Sequence, residues 1–177
     1  TFNSDSFRNA GTAEGGRSTL ADSTLAARKL GDLHYGLFAA PGYLRRQPPP
    51  VVPQDLAQHA LIRFSGSRQR LVWAFTRGTE TQRIEPAARL NANNSFAVRD
   101  ATIDGLGIGQ LPWLLAGPSV AAGTLHPVLT DWQLPSAPVH AVFASARYLT
   151  PKVRSFIDLA VASFASVTKN SLTTVDK

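Results

Sequence analysis

The stretch Ala88–Pro112, ARLNANNSFAVRDATIDGLGIGQLP, constrains the fold more than any other part of the chain. Ala88–Ala92 has the length and composition of a strand. Asn93, Asn94 and Ser95 then supply capping oxygens, so a helix is expected over roughly Ser95–Asp104. Gly105 stands where a helix end favours a left-handed residue, and Leu106–Pro112 reads as a second short strand. Strand, helix and strand joined this tightly predict a parallel pair with a right-handed crossover.

The remaining elements follow from shorter signals. His34–Ala40 (HYGLFAA) is an apolar run ended by Pro41 and is expected as a buried strand. Gln47–Pro53 (QPPPVVP) is too rich in proline for regular structure and reads as an extended surface connection. Gln54–His59 is expected as a short helix with Pro53 at its first turn. Ala60–Phe64, Leu71–Phe75 and Thr81–Ile84 read as strands of a small β-rich patch. Pro118 and Gly123 bracket another short helix. Leu125–Leu129 is an edge strand because Pro127 interrupts it, and Val139–Ser145 reads as a further buried strand. Thr150 and Pro151 open the strongest helix, with Val153, Phe156, Ile157, Ala160, Val161 and Phe164 on one face. Residues 1–19 show no periodicity and read as a flexible or foreign arm, and residues 169–177 form a polar tail. No internal repeat is visible. This order of elements is that of an α/β fold.

Composition narrows the function. The 177 residues suit one domain or two small lobes, and 44% hydrophobic against 17% charged is too apolar for disorder. Without Cys there is neither a disulfide framework nor a Cys-based zinc site. The zero Met count points to a processed or truncated chain. No apolar run approaches the ~18 residues of a membrane span, and the polar opening residues lack the apolar centre of a secretory signal. The net charge of +6 is confined to residues 1–99, with 13 Lys and Arg against 7 Asp and Glu; residues 100–177 carry 5 of each. Arg45, Arg46, Arg63, Arg68, Arg70, Arg77, Arg83, Arg89 and Arg99 are strung along strands and loops, with no helix-turn-helix among them. They read as a solvated basic surface.

Four stretches, in order and spacing, resemble the effector-sensing domain of LysR-type transcriptional regulators. They are Leu20–Leu44 (LADSTLAARKLGDLHYGLFAAPGYL), Asp55–Phe64 (DLAQHALIRF) with the later Trp73 and Phe75, Asn91–Pro112, and Leu125–Phe156 (LHPVLTDWQLPSAPVHAVFASARYLTPKVRSF). The resemblance implies a type 2 periplasmic-binding-protein-like α/β fold, with two subdomains joined by crossover strands. Residues 20–40 and 135–168 would then be the remnant of an incomplete subdomain I, and residues 41–134 would form subdomain II. His34–Ala40 would lead into subdomain II and Val139–Ser145 back out. The function implied is effector sensing and oligomerisation in a cytoplasmic bacterial regulator. A small organic ligand, of carboxylate type, would sit between the subdomains. The partners implied are a second or further copies, as homodimer or homotetramer, and promoter DNA reached only through a winged helix-turn-helix outside this chain. The alternative is a stand-alone solute-binding protein of similar fold.

Chemistry places the candidate effector seat at Asn93, Asn94, Ser95 and Phe96, and at Gly109, Gln110, Leu111 and Pro112. A helix N-terminus presents unpaired N–H groups and a partial positive charge, which suits a carboxylate. Ligands of open α/β sheets lie outside strand carboxyl ends, where both segments fall. Gly107 and Gly109 leave the backbone open to approach, and Gln110 donates and accepts. The plain alternative is that Asn94 or Ser95 only caps its helix, that the glycines only allow tight packing, and that Phe96 is core. His34, His59, His126 and His140 lack metal-ligand spacing, no GxSxG elbow supports a serine triad, and Trp73, Trp113 and Trp132 read as packing residues. Neither a cofactor nor a catalytic set is expected.

Overall fold

A computed structural model describes residues 25–66, 72–85, 87–144 and 150–172 of the chain. The arm at 1–19, Arg68, Arg70, Leu71, Ser145, Arg147 and residues 173–177 therefore lie outside the described residues.

The centre is a five-stranded mixed sheet. Its strands are β2 (Tyr35–Ala39), β3 (Leu61–Phe64), β6 (Ala88–Ala92), β7 (Ile108–Pro112) and β8 (His126–Val128), in the order β6-β3-β7-β2-β8. The strand–helix–strand unit exists: β6 leads into helix α2 (Ser95–Ile103), which leads into β7. The two strands are not neighbours, however. β3 lies between them and pairs in parallel with both. Burial accounts for this correction to the expected adjacent pair. Leu61 and Ile62 of β3 are almost wholly buried and need cover on both sides, whereas β6 is largely exposed and suits an edge. β8 takes the other edge, as the proline in it requires.

Strand alternation divides the apolar residues between two faces. On one face Leu37, Leu61 and Ile108 pack with Tyr43, Leu56, Trp73, Phe75 and Trp132. These come from α1 (Pro41–Arg46), a 3₁₀ turn at Pro53–Gln58, the hairpin β4 (Trp73–Arg77) and β5 (Glu80–Ile84), and the loop after β8. On the other face Phe38, Ile62 and Leu111 meet Val98 and Ala101 of α2 and Ala116 of α3 (Trp113–Ala121). Helix α3 differs from expectation: Pro118 lies inside it, and the chain turns helical directly after Pro112. Half-buried Trp113, Leu115 and Val120 pack on the core around Phe38 and Leu125, and this packing outweighs the one hydrogen bond that an internal proline removes.

The rest of the described chain forms a second, smaller layer. β1 (Leu25–Leu33) pairs antiparallel with β9 (Ala137–Ala144) in a separate two-stranded ladder. Helix α4 (Pro151–Leu172) packs on β1, where a β-carbon at Gly31 would stand 2.7 Å from Phe164 Cδ1, so only glycine admits that ring. An ion pair of 2.7 Å joins Arg28 to Asp158. Only His34 separates β1 from β2, so one extended run passes from the ladder into the central sheet. β9 is not the buried strand expected: Pro138, His140 and Val142 are exposed in alternation with half-buried neighbours. Lys169–Leu172, expected as tail, continue α4.

Candidate ligand-binding site

Because β3, β6 and β7 are parallel, their carboxyl ends at Phe64, Ala92 and Pro112 share one edge of the sheet. β2 runs the other way, which sets its first residue, Tyr35, opposite Pro112. β8 is antiparallel to β2, so Val128 and the loop after it join the same edge. This is also the edge from which the crossover leaves, since Trp113 N–H donates to His34 C=O at 2.9 Å.

The mouth of α2 opens on this edge. Asn94 is its N-cap, and Asn94 Oδ1 accepts from Phe96 N–H at 2.8 Å. That bond occupies one of the orphan donors of the first turn; the Ser95 and Ala97 N–H groups have no acceptor within the helix. Asn93 and Asn94 are exposed and Ser95 is half-buried. Phe96, a candidate seat residue whose plain alternative is a core position, is 58% exposed, with the Arg99 guanidinium 5.3 Å from its ring centre. Arg63 lies on the opposite face of β3 from α2, with Leu61, and donates through Nε to Asn91 Oδ1 at 2.9 Å. At the other end of the helix, Gly105 takes φ +73, while Gly105 N–H bonds Thr102 C=O and Leu106 N–H bonds Ala101 C=O. This is the left-handed termination expected there.

The β7 half of the seat is more divided. Gln110 lines a cavity of about 180 Å³ with Tyr35, Trp73, Ala74 and Leu134, and Pro112 is half-buried. Leu111 is fully buried in the helix-side core. A β-carbon at Gly109 would collide with Thr102 Oγ1, and one at Gly107 with the Ala60 carbonyl oxygen. The expectation that these glycines leave room for a ligand is therefore corrected: the protein's own atoms fill the space. A larger cavity of about 380 Å³ lies on the far side of Tyr35 and Leu134, between the crossover and the loop after β8. Sequence reasoning missed it, and only the tryptophans Trp113 and Trp132 in its wall were a possible signal. Trp73 and Trp132 are buried as expected, yet among the described residues neither indole Nε1 has a hydrogen-bond partner. Among the described residues no group of three or more His, Asp or Glu could hold a metal ion, and no helix is long and apolar enough to cross a membrane.

Residues 15–165 match the family model of the LysR substrate binding domain. The chain belongs to the LysR family. Among its relatives, the HTH-type transcriptional regulator PtxR of Pseudomonas aeruginosa is 38% identical over 137 residues, covering 77% of this chain and 44% of that one. An HTH-type regulator of Xanthomonas campestris is 34% identical over 146 residues, covering 80% and 42%. This LysR chain thus spans less than half the length of either. Among solved structures, the Vibrio cholerae virulence activator AphB aligns with TM-score 0.70 and 30% identity, covering 81% of this chain and 49% of that one. The regulatory domain of CrgA from Neisseria meningitidis aligns with TM-score 0.71 and 27% identity, covering 83% and 72%. The fold is accordingly the type 2 periplasmic-binding-protein-like fold of LysR regulatory domains, and the chain is an effector-binding regulatory domain of that family. These relatives are named as regulators and not as enzymes, and the solute-binding alternative is not favoured.

Proposed function

We propose that this LysR domain senses a small organic carboxylate held at the mouth of α2, and reports it to the remainder of a longer regulator. The observation that carries the reading is the position of that mouth. It lies on the carboxyl edge of the central sheet, beside the crossover, with Ser95 and Ala97 N–H groups lacking helical acceptors. The helix dipole gives this mouth a partial positive potential suited to an anion, while the Arg99 guanidinium beside Phe96 is already paired with Asp100 at 2.7 Å. β6 and β7 are two strand spacings apart, about 10 Å. A molecule of that length, anchored at Asn93, Asn94 and Ser95 and flanked by Phe96, reaches Pro112 at the sheet edge; Gly109 and Leu111 stiffen the strand beneath it, and Gln110 would join only from the opposite face of β7, beside Trp73.

The mechanism follows from the two-layer arrangement. A ligand that prefers one disposition of the β1–β9 layer against the central sheet shifts the population toward it. In the longer protein that bias would pass to paired subunits, as dimer or tetramer, and to a winged helix-turn-helix on promoter DNA in the cytoplasm.

Thermal unfolding of the chain in benzoate and in malate tests the seat. Saturating ligand raises the Tm of the parent chain. Ser95→Asp, which places a negative charge in the first turn, keeps the helix and abolishes the rise; Ser95→Ala and Asn94→Ala reduce it. An undiminished rise in all three variants would remove the proposed seat.

A further inference from the structure

The proline-rich run Gln47–Pro53, which links α1 to the 3₁₀ turn, is held in one shape by its own residues. Proline locks φ, and a following proline keeps the residue before it extended, so Gln47, Pro48, Pro49 and Val52 are all restricted. The Asp55 carboxylate fixes the rest: its Oδ2 accepts from Val51 N–H at 2.9 Å and from Val52 N–H at 3.0 Å. An extended run of this kind repeats about every three residues. Pro50 and Pro53, three apart, are buried and anchor it to the domain. The other two edges face outward. Pro48 and Pro49 are exposed, Val52 is half-buried, and Val51, at 78%, is the most exposed large apolar side chain among the described residues.

The backbone of this outward surface is equally one-sided. Pro48, Pro49 and Pro50 have no N–H, and Asp55 takes those of Val51 and Val52. No described residue donates to the carbonyls of Pro48, Pro49 or Pro50. The surface therefore offers apolar rings and methyl groups with acceptors between them and no donor. A pairing β-strand needs both donors and acceptors, so strand addition is unsuited to it. A groove of aromatic side chains that presents indole N–H or phenol O–H donors does suit it. The flank is positive. Arg45 stands three residues before Pro48, within about 10 Å along the chain. It is exposed and has no carboxylate partner among the described residues, while Arg46 donates to Gly105 C=O at 3.1 Å. No Asp or Glu lies between Arg45 and Asp55.

We propose that Gln47–Val52 is a docking strap for a protein domain with an aromatic-lined groove bordered by carboxylates. The pairs Pro48–Pro49 and Val51–Val52 fill two neighbouring slots of the groove, Pro50 faces back into this domain, and Arg45 meets the acidic border. Because the strap is already ordered, docking loses little conformational entropy. It follows α1, which leaves the end of β2 away from Tyr35 and the carboxyl edge, so it does not depend on a ligand at the α2 mouth.

The test titrates the chain with an isolated SH3 domain whose groove is lined by tyrosine and tryptophan and has an acidic border, read by calorimetry and by ¹H–¹⁵N spectra of the labelled chain. Saturable one-to-one binding is expected, with shifts at the Val51 and Val52 amides and none at Ala97 in the α2 mouth. Val51→Ser and Pro49→Ala, both exposed changes, each weaken binding about tenfold. Arg45→Glu weakens it about threefold in dilute buffer and not in 1 M salt. Leu159→Ser removes a side chain that is 64% exposed on α4 and leaves binding unchanged. Should Pro49→Ala loosen the fold, Val51→Ser and Arg45→Glu carry the decision. No saturable binding, undiminished binding in Val51→Ser, an equal loss in Leu159→Ser, or shifts at Ala97 with Val51 and Val52 unmoved each overturns the proposal.

Discussion

The Thr102 hydroxyl occupies the space that a β-carbon at Gly109 would need. Thr102 is fully buried, and its Oγ1 donates to Val98 C=O at 2.7 Å, so it has nowhere to retreat. Gly109→Ala therefore forces α2 away from β7 and is expected to cost about 1–3 kcal/mol, the range for overpacking a filled core. Urea unfolding of the single and double variants checks this. Thr102→Ala should recover part of the loss in the Gly109→Ala background while being destabilising by itself, giving a coupling energy of opposite sign to the two single effects.

Asn94 gives a milder and more specific effect. Removing its oxygen in Asn94→Ala leaves Phe96 N–H to water and is expected to cost about 1 kcal/mol. Asn94→Asp retains the cap and should match or exceed the parent, because a negative charge suits a helix N-terminus. Equal melting temperatures for Asn94→Ala and the parent would show that the cap contributes nothing to stability.

The ion pair between Arg28 and Asp158 bridges β1 and α4, but both side chains are about half exposed. Solvent screening keeps such pairs at roughly 0–1 kcal/mol. Arg28→Ala should lower stability by less than about 0.5 kcal/mol, and the difference should vanish in 1 M salt. By contrast Gly31→Ala, which sets a methyl group against the Phe164 ring, should loosen α4 at any salt concentration. Limited proteolysis between β9 and α4 reads the two cases apart.

Acid should act in two steps. Burial pushes the His59 imidazole below its usual 6.5, with the Asp55 charge opposing the shift. His59 Nδ1 lies 3.1 Å from Tyr43 OH, which itself accepts from Ala60 N–H. The folded state thus holds His59 neutral more firmly than the unfolded chain does. Its contribution is complete above pH 6.5 and is lost as pH falls through the lowered folded value. Backbone N–H groups of Val52 and Val51 lower Asp55 below 3.8, so its contribution is complete above that value and is lost on further acidification. Melting temperature against pH should show a first decline below about 6.5 that His59→Gln removes, and a second below about 3.8 that Asp55→Asn removes.

Some elements were legible because their signals are local. Asn94 before α2 and Gly105 after it are backbone requirements written into adjacent residues, and the structure has both. The proline of β8 excluded an interior strand position, and β8 is an edge. Other elements carried no such signal. LAARKLGDL of β1 is half polar and reads as nothing in particular; it is a strand because β9 supplies its hydrogen bonds. Pro118 looked like a helix start by propensity, yet the packing of Trp113 and Ala116 had already begun α3. The candidate seat divides in the same way. The α2 mouth could be read from three consecutive residues. The aromatic cavity draws on β2, the β4 strand, the start of α3 and the loop after β8, which no spacing in the chain connects.

By itself, then, the amino-acid order determined the α/β class, the caps that bound α2 and the family to which the chain belongs, because these rest on residues close together or on patterns kept in order. Tertiary structure alone decided that β3 would separate β6 from β7, that Thr102 would take the space beside Gly109, and that four aromatic side chains from distant segments would line one hollow. The physical reason is that burial is a property of what the rest of the chain brings alongside a residue, and no local pattern encodes that neighbour.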